Sequence, residues 1–105
     1  MDELRDIVLQ WMQTALIGNI TPNTRAVIVR FTETEIYFDA YISGTISEED
    51  RECMQYAAGD IMDFMGSWRD FVVQHKLIRL DYPARIPTDL GGIYVFERYF
   101  DYGSA

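Results

Sequence analysis

A single cysteine, a single histidine and the lack of any long apolar run set the first limits on this 105-residue chain. Cys53 cannot close an internal disulfide, and Cys53 with His75 cannot complete a tetrahedral metal site. Such sparing cysteine usage fits a reducing compartment. No apolar stretch approaches the roughly 18 residues of a membrane span. Met1 is followed by Asp2 and Glu3, which is no basic leader, so a soluble cytoplasmic protein is expected. Basic residues are also scarce, nine against 17 acids. A chain with no Lys/Arg footprint is poorly suited to a polyanion, which excludes nucleic acid as the expected partner. There is no P-loop, no GxGxxG, no repeat, no low-complexity tract and no linker.

What is present is ordinary globular material with an uneven charge. Hydrophobic residues make up 49% and charged residues 25%, enough for one domain, 1–105, to bury a core without staples. Seven Tyr and six Phe exceed what a core alone requires, and tyrosine is favoured at partner surfaces. Residues 33–63 carry nine carboxylates (Glu33, Glu35, Asp39, Glu48, Glu49, Asp50, Glu52, Asp60 and Asp63) against Arg51 alone. Acids and bases cancel on either side, so the whole net charge of −8 sits in this one stretch. Clustered charge of one sign repels itself, but it speeds encounter with a basic partner. It also serves simply to solvate a helix.

Apolar residues at Leu4, Ile7, Val8, Trp11, Met12, Ala15 and Leu16 follow the helical period over 3–17, and Gly18 is placed to terminate that helix. Trp11 lies on the core stripe. Residues 25–31 read as a strand, then Thr32, Glu33 and Thr34 reverse the chain into a second strand, 35–42. In that strand Ile36, Phe38, Ala40 and Ile42 face the core, while Glu35, Tyr37, Asp39 and Tyr41 form a solvated face. Ser47 and Asp50 stand at capping-box spacing, with Glu48 and Glu49 in the first turn. The helix they open carries Met54, Ala57, Ala58, Ile61, Met62, Phe64 and Met65 on its core side, and Gly66 ends it. Gly59 suggests close packing on the sheet. Strands over 71–80 and 93–99 follow, joined by a proline-stiffened loop, and the last five residues are expected to fray.

This order, α-β-β-α-β-β, predicts an α+β fold: a four-stranded, mainly antiparallel sheet with two helices packed on one face. The other face is left partly open, and strand order is undetermined.

No catalytic constellation emerges. The acids lie beside other acids without a nucleophile or phosphate-binding loop, and residues 46–57 lack the turn glycine of an EF-hand. His75 lies mid-strand and reads as structural; Cys53 reads as a helix-flank residue. No enzyme activity, metal or cofactor is expected. The conspicuous surface is acid mixed with tyrosine: Tyr37, Asp39, Tyr41, Glu48, Glu49, Asp50 and Glu52 are the candidate partner-binding residues. Their chemistry is that of a protein imitating a polyanion towards a basic protein such as a nuclease, although Glu48, Glu49 and Asp50 would be equally explained as a helix cap.

Several strings carry a resemblance: 16–31, LIGNITPNTRAVIVRF; the stretch YFDAYISGTISEEDRE; KLIRLDYPARIP; and GGIYVFER. Together, over roughly residues 16–98, they resemble small bacterial immunity proteins of contact-dependent growth inhibition and related polymorphic toxin systems. The resemblance implies a cytoplasmic protein that binds and neutralises the C-terminal toxin domain, often a nuclease, of a cognate effector, as a monomer or weak dimer. It transfers no binding residues. Two alternatives stand beside it: a self-associating structural or adaptor domain using the tyrosine-bearing sheet face, and a small-molecule or hydrolytic site at Asp39 or Asp81.

Overall fold

The computed structural model describes residues 2–66, 71–87 and 91–100. The elements are α1 (Asp2–Leu16), β1 (Thr24–Phe31), β2 (Glu35–Ile42), α2 (Glu48–Met65), β3 (Val72–Arg79) and β4 (Ile93–Glu97). They form an α+β domain in the anticipated order. The expected fraying of the last five residues lies outside the described residues.

The sheet runs β3-β2-β1-β4. β1 pairs antiparallel with β2 and with β4, whereas β2 and β3 are parallel. Parallel neighbours require a crossover, and α2 supplies it. Both helices lie on one face. Leu4, Val8, Met12 and Ala15 from α1, and Met54, Ala57, Ala58, Ile61 and Met65 from α2, pack on Val27, Val29, Ile36, Phe38, Ala40 and Ile42. Each of the larger side chains contributes about 1.5–3 kcal/mol by leaving water. Met62 and Phe64, assigned by periodicity to the core side, are exposed on either flank of that stripe. Gly59 faces open space, with nothing within 4 Å of an added Cβ, so it makes no close approach to the sheet.

Local signals account for the element ends. The Thr32 N–H donates to the Glu35 carbonyl at 2.8 Å, and the Thr32 hydroxyl accepts from the Thr34 and Glu35 N–H groups, which closes the β1–β2 turn without glycine. Asn19 satisfies the end of α1 twice, from its N–H to Leu16 and from its side-chain amide to Ala15. β4 is shorter than its apolar pattern. Beyond Glu97 the Arg98 guanidinium turns back to donate to the Thr24 and Thr21 carbonyls, at 3.1 and 3.2 Å.

Among the described glycines, Gly92 makes the tightest approach. A Cβ there would sit 2.1 Å from Cγ2 of Ile28, a buried β-branched side chain with little freedom to move aside. Gly92→Ala is therefore expected to destabilise the domain by about 2 kcal/mol in a chemical melt. A loss under about 0.5 kcal/mol would show that the 91–92 segment shifts freely.

Candidate partner-binding surfaces

The seven residues singled out by charge and face do not share one surface. β2 projects Tyr37, Asp39 and Tyr41 away from the helices, while Glu48, Glu49, Asp50 and Glu52 belong to α2 on the opposite side of the sheet. Strand alternation enforces this separation. Ile36, Phe38, Ala40 and Ile42 must meet the helices, so their intervening neighbours cannot.

The sheet face is also drier than the alternation suggests. Tyr41 is only 3% exposed, because Ile86 from the β3–β4 connection lies in a second apolar cluster with Ala26, Ile28 and Tyr41, flanked by Ile78, Leu80 and Tyr94. Burial, with the Asp39 charge behind it, pushes the Tyr41 phenol up. Asp39 is buried as well, and its Oδ2 accepts from Arg30 Nη2 at 3.1 Å. The expectation of a solvated face thus fails for Asp39 and Tyr41. A loop that packs from outside the strand overrode the two-residue period. Glu35 and Tyr37 remain half-buried, and a hydrogen bond with Glu35 raises the Tyr37 phenol.

Asp50 is 1% exposed and turned inward. Its Oδ2 accepts from the Ser47 N–H at 2.9 Å, and its own N–H donates to the Ser47 hydroxyl at 3.0 Å. That is the capping box read from the sequence. Its other oxygen accepts from the Thr21 hydroxyl, which also contacts the Thr24 hydroxyl at 3.0 Å. Burial alone would raise the Asp50 carboxyl, but hydrogen bonds from Thr21, Ser47 and Asn23 outweigh it and hold the group below 3.8. Asp50 is a joint between the α1–β1 loop and α2, and it presents nothing to a partner.

The outward acids, exposed except for a half-buried Asp60, form a different pattern. Glu49, Glu52, Tyr56, Asp60 and Asp63 recur at three- and four-residue spacing, which lines them along the side of α2 opposite Met54, Ala58, Ile61 and Met65. Glu48 stands beside this row. Tyr56, 63% exposed, is at its centre. The one base of the helix, Arg51, sits at the flank with a guanidinium N–H on the Ile46 carbonyl at 3.3 Å. Sequence reasoning missed Tyr56, although its signal was available: it falls outside the apolar stripe, where an aromatic ring has no packing role.

On the sheet side a groove of about 280 Å³ is lined by Arg30, Tyr37, Asp39, Gln74, His75 and Lys76. The hydrolytic alternative finds little support in these carboxylates. Asp39 is engaged by Arg30, and both Asp81 oxygens are held by Arg79 at 3.1 Å, one of them also accepting from the Gly44 N–H. The Arg79 hydrogen bonds, then that of Gly44, keep Asp81 below the usual carboxylate range. His75 stacks on Phe38 with centroids 5.4 Å apart, and burial lowers its pKa, so it is neutral near pH 7. Burial, then Glu49, Asp50 and Glu52, pushes the Cys53 thiol up, which makes it a poor nucleophile. Among the described residues no cluster of three His, Cys, Asp or Glu side chains could hold a metal, and no helix is long and apolar enough to cross a membrane.

These features define a small two-layer α+β domain with an acidic helix on one side and a partly covered mixed sheet on the other. The chain belongs to the MafI2 immunity protein family, which matches residues 5–99. It is accordingly a bacterial immunity protein, a protein that neutralises a cognate toxin protein by binding it. A search of curated proteins returns no match for the chain.

Proposed function

We propose that this chain protects its producer in the cytoplasm by binding, one to one, the C-terminal toxin domain of a contact-dependent inhibition effector, and that this domain is a nuclease. The observation supporting this reading is the outward side of α2. There Glu49, Glu52 and Asp63 line one side of the helix with an exposed Tyr56 between them, Glu48 stands beside the row, and Arg51 lies only at the margin. Carboxylates steer a cationic partner and accept bidentate contacts from arginine, and a tyrosine ring adds contact area at small entropic cost. A nuclease site must hold polyanionic substrate, so it offers the complementary charge. Of the residues first singled out, Glu48, Glu49 and Glu52 can take part directly. Asp50, Asp39 and Tyr41 act by holding the fold.

The test is association kinetics with the cognate toxin domain. Glu52→Lys combined with Asp63→Lys spares the N-terminal cap and places a cation in the last turn, where the helix dipole favours it. The pair is expected to slow association about tenfold at low salt, with a weaker effect as ionic strength rises. An unchanged association rate would remove α2 from the interface. The self-associating alternative retains only Tyr37 of its two tyrosines as an accessible ring, and sedimentation of the free chain decides it.

A further inference from the structure

The two edges of the sheet are built differently. β4 is five residues long, its pairing with β1 is broken by a bulge between Val27 and Ile28, and beyond it the Arg98 guanidinium folds back onto the Thr24 and Thr21 carbonyls. These are the usual devices that blunt an edge. β3 runs eight residues in unbroken register with β2, from Glu35↔Val72 to Ile42↔Arg79. The Val72 N–H donates to Thr34 and the Leu80 N–H to Ile42, at 3.0 and 2.8 Å. Successive residues of a strand point their polar groups in opposite directions, so Val73, His75, Leu77 and Arg79 direct theirs away from β2. Among the described residues no strand pairs with that side. The chemistry of such an edge recognises one class of ligand, an extended backbone.

The side chains along β3 narrow the occupant further. Its charged side chains are Lys76 and Arg79, and Arg79 is already paired with Asp81, which leaves Lys76 as the unmatched charge beside a neutral His75. A second copy paired antiparallel about Lys76 would set the two ammonium groups against each other, which disfavours that self-pairing. Lys76 opens into the groove with Arg30, whose charge is already matched by Asp39. The surplus cation there is Lys76. Val72, 52% exposed, offers an apolar contact on the same face two pairs of residues away. The outer side of α2 borders this edge, because α2 is the helix that packs over β3.

We propose that the outer edge of β3 takes up an extended segment of the toxin domain as a fifth strand, with a carboxylate side chain of that segment entering the groove at Lys76. This rests on the immunity reading above and adds where the toxin docks and by what contacts. α2 attracts the cationic body of the partner, and the β3 edge sets its register. Lys76 then has two roles, discouraging self-pairing and selecting an acidic residue in the segment.

Residue-resolved amide hydrogen exchange on the full chain, free and saturated with the cognate toxin domain, tests this directly. The amides of Val73, His75, Leu77 and Arg79 are expected to exchange rapidly in the free chain and to slow at least about tenfold in the complex. Lys76→Glu, which leaves the ladder intact, is expected to weaken binding about tenfold with an unchanged melting midpoint. A saturated complex in which those four amides stay unprotected would overturn the fifth strand and leave the immunity reading standing. Protection that grows with the concentration of the chain alone would identify a second copy as the occupant and also overturn it. Unchanged affinity of Lys76→Glu would discard the carboxylate contact. Absence of any toxin binding would remove the immunity reading, and this inference with it.

Discussion

Replacing Arg25 with alanine is expected to lower the unfolding free energy by about 4 kcal/mol, a large part of what a domain of this size has. Among the described residues Arg25 is the largest fully buried side chain, at 1% exposure, although it is charged. Its Nη1 donates to the Leu80 carbonyl at 2.7 Å, and its guanidinium carbon lies 4.0 Å from the centroid of Tyr82. Tyr82 in turn stacks on Phe100 at 4.0 Å. Alanine would leave a cavity, strip the Leu80 carbonyl of its donor and remove the cation from the ring. Arg25→Met keeps most of the volume and is expected to lose about half as much. Urea unfolding with the slope held constant measures both. The segment that follows Leu80 carries Ile86 over Tyr41, so the alanine variant should also raise the exposure of Tyr41 to iodination. A loss below about 1 kcal/mol, with Tyr41 still protected, would show that the β3–β4 connection holds its place without Arg25.

Asp50→Ala is expected to cost about 3 kcal/mol at neutral pH, combining a lost cap with a buried Thr21 hydroxyl deprived of its acceptor. The pH dependence carries the sign of a depressed carboxyl. Hydrogen bonds to the ionised form hold Asp50 below its unfolded value of 3.8 despite burial. The stability it contributes is therefore full above 3.8 and is lost as the pH falls from there through the lower folded value. The difference between the parent chain and Asp50→Ala should accordingly be flat from neutral pH down to mildly acid conditions and shrink below them. A gap that persists unchanged to pH 2 would mean that the carboxylate charge has no part in the joint. Because Asp50 lies apart from the outer face of α2, Asp50→Ala should leave toxin association unchanged wherever the chain is folded. Glu52→Lys with Asp63→Lys should do the reverse.

The contrast between these two acidic sites shows what a one-dimensional reading can and cannot resolve. Asp50 and Glu49 are neighbours in the chain and indistinguishable by charge. The capping-box spacing identified a hydrogen-bonding role for Asp50, but only the docking of Thr21 against it turned that cap into a buried joint. Tyr37 and Tyr41 are likewise equivalent by alternation, and the packing of Ile86 separates them. Tyr56 was visible all along as an aromatic outside the apolar stripe, yet it gains meaning only with its acidic neighbours placed around it.

The sequence by itself determined the elements and their inward faces: the two amphipathic helices, the Ser47–Asp50 cap, the glycine ends at Gly18 and Gly66, and the alternation of β2. Those are local matters, governed by backbone period and by hydrogen bonds a few residues long. The family strings pointed to an immunity protein for the related reason that they are contiguous. The tertiary structure decided the strand order, the parallel pairing of β3, the covering of Tyr41 and the division of the acids between opposite sides of the sheet. These depend on contacts between residues tens of positions apart, where a buried arginine or a loop isoleucine outweighs the local pattern. The open edge of β3 belongs to the second group, since a strand becomes an edge only when its neighbours are known.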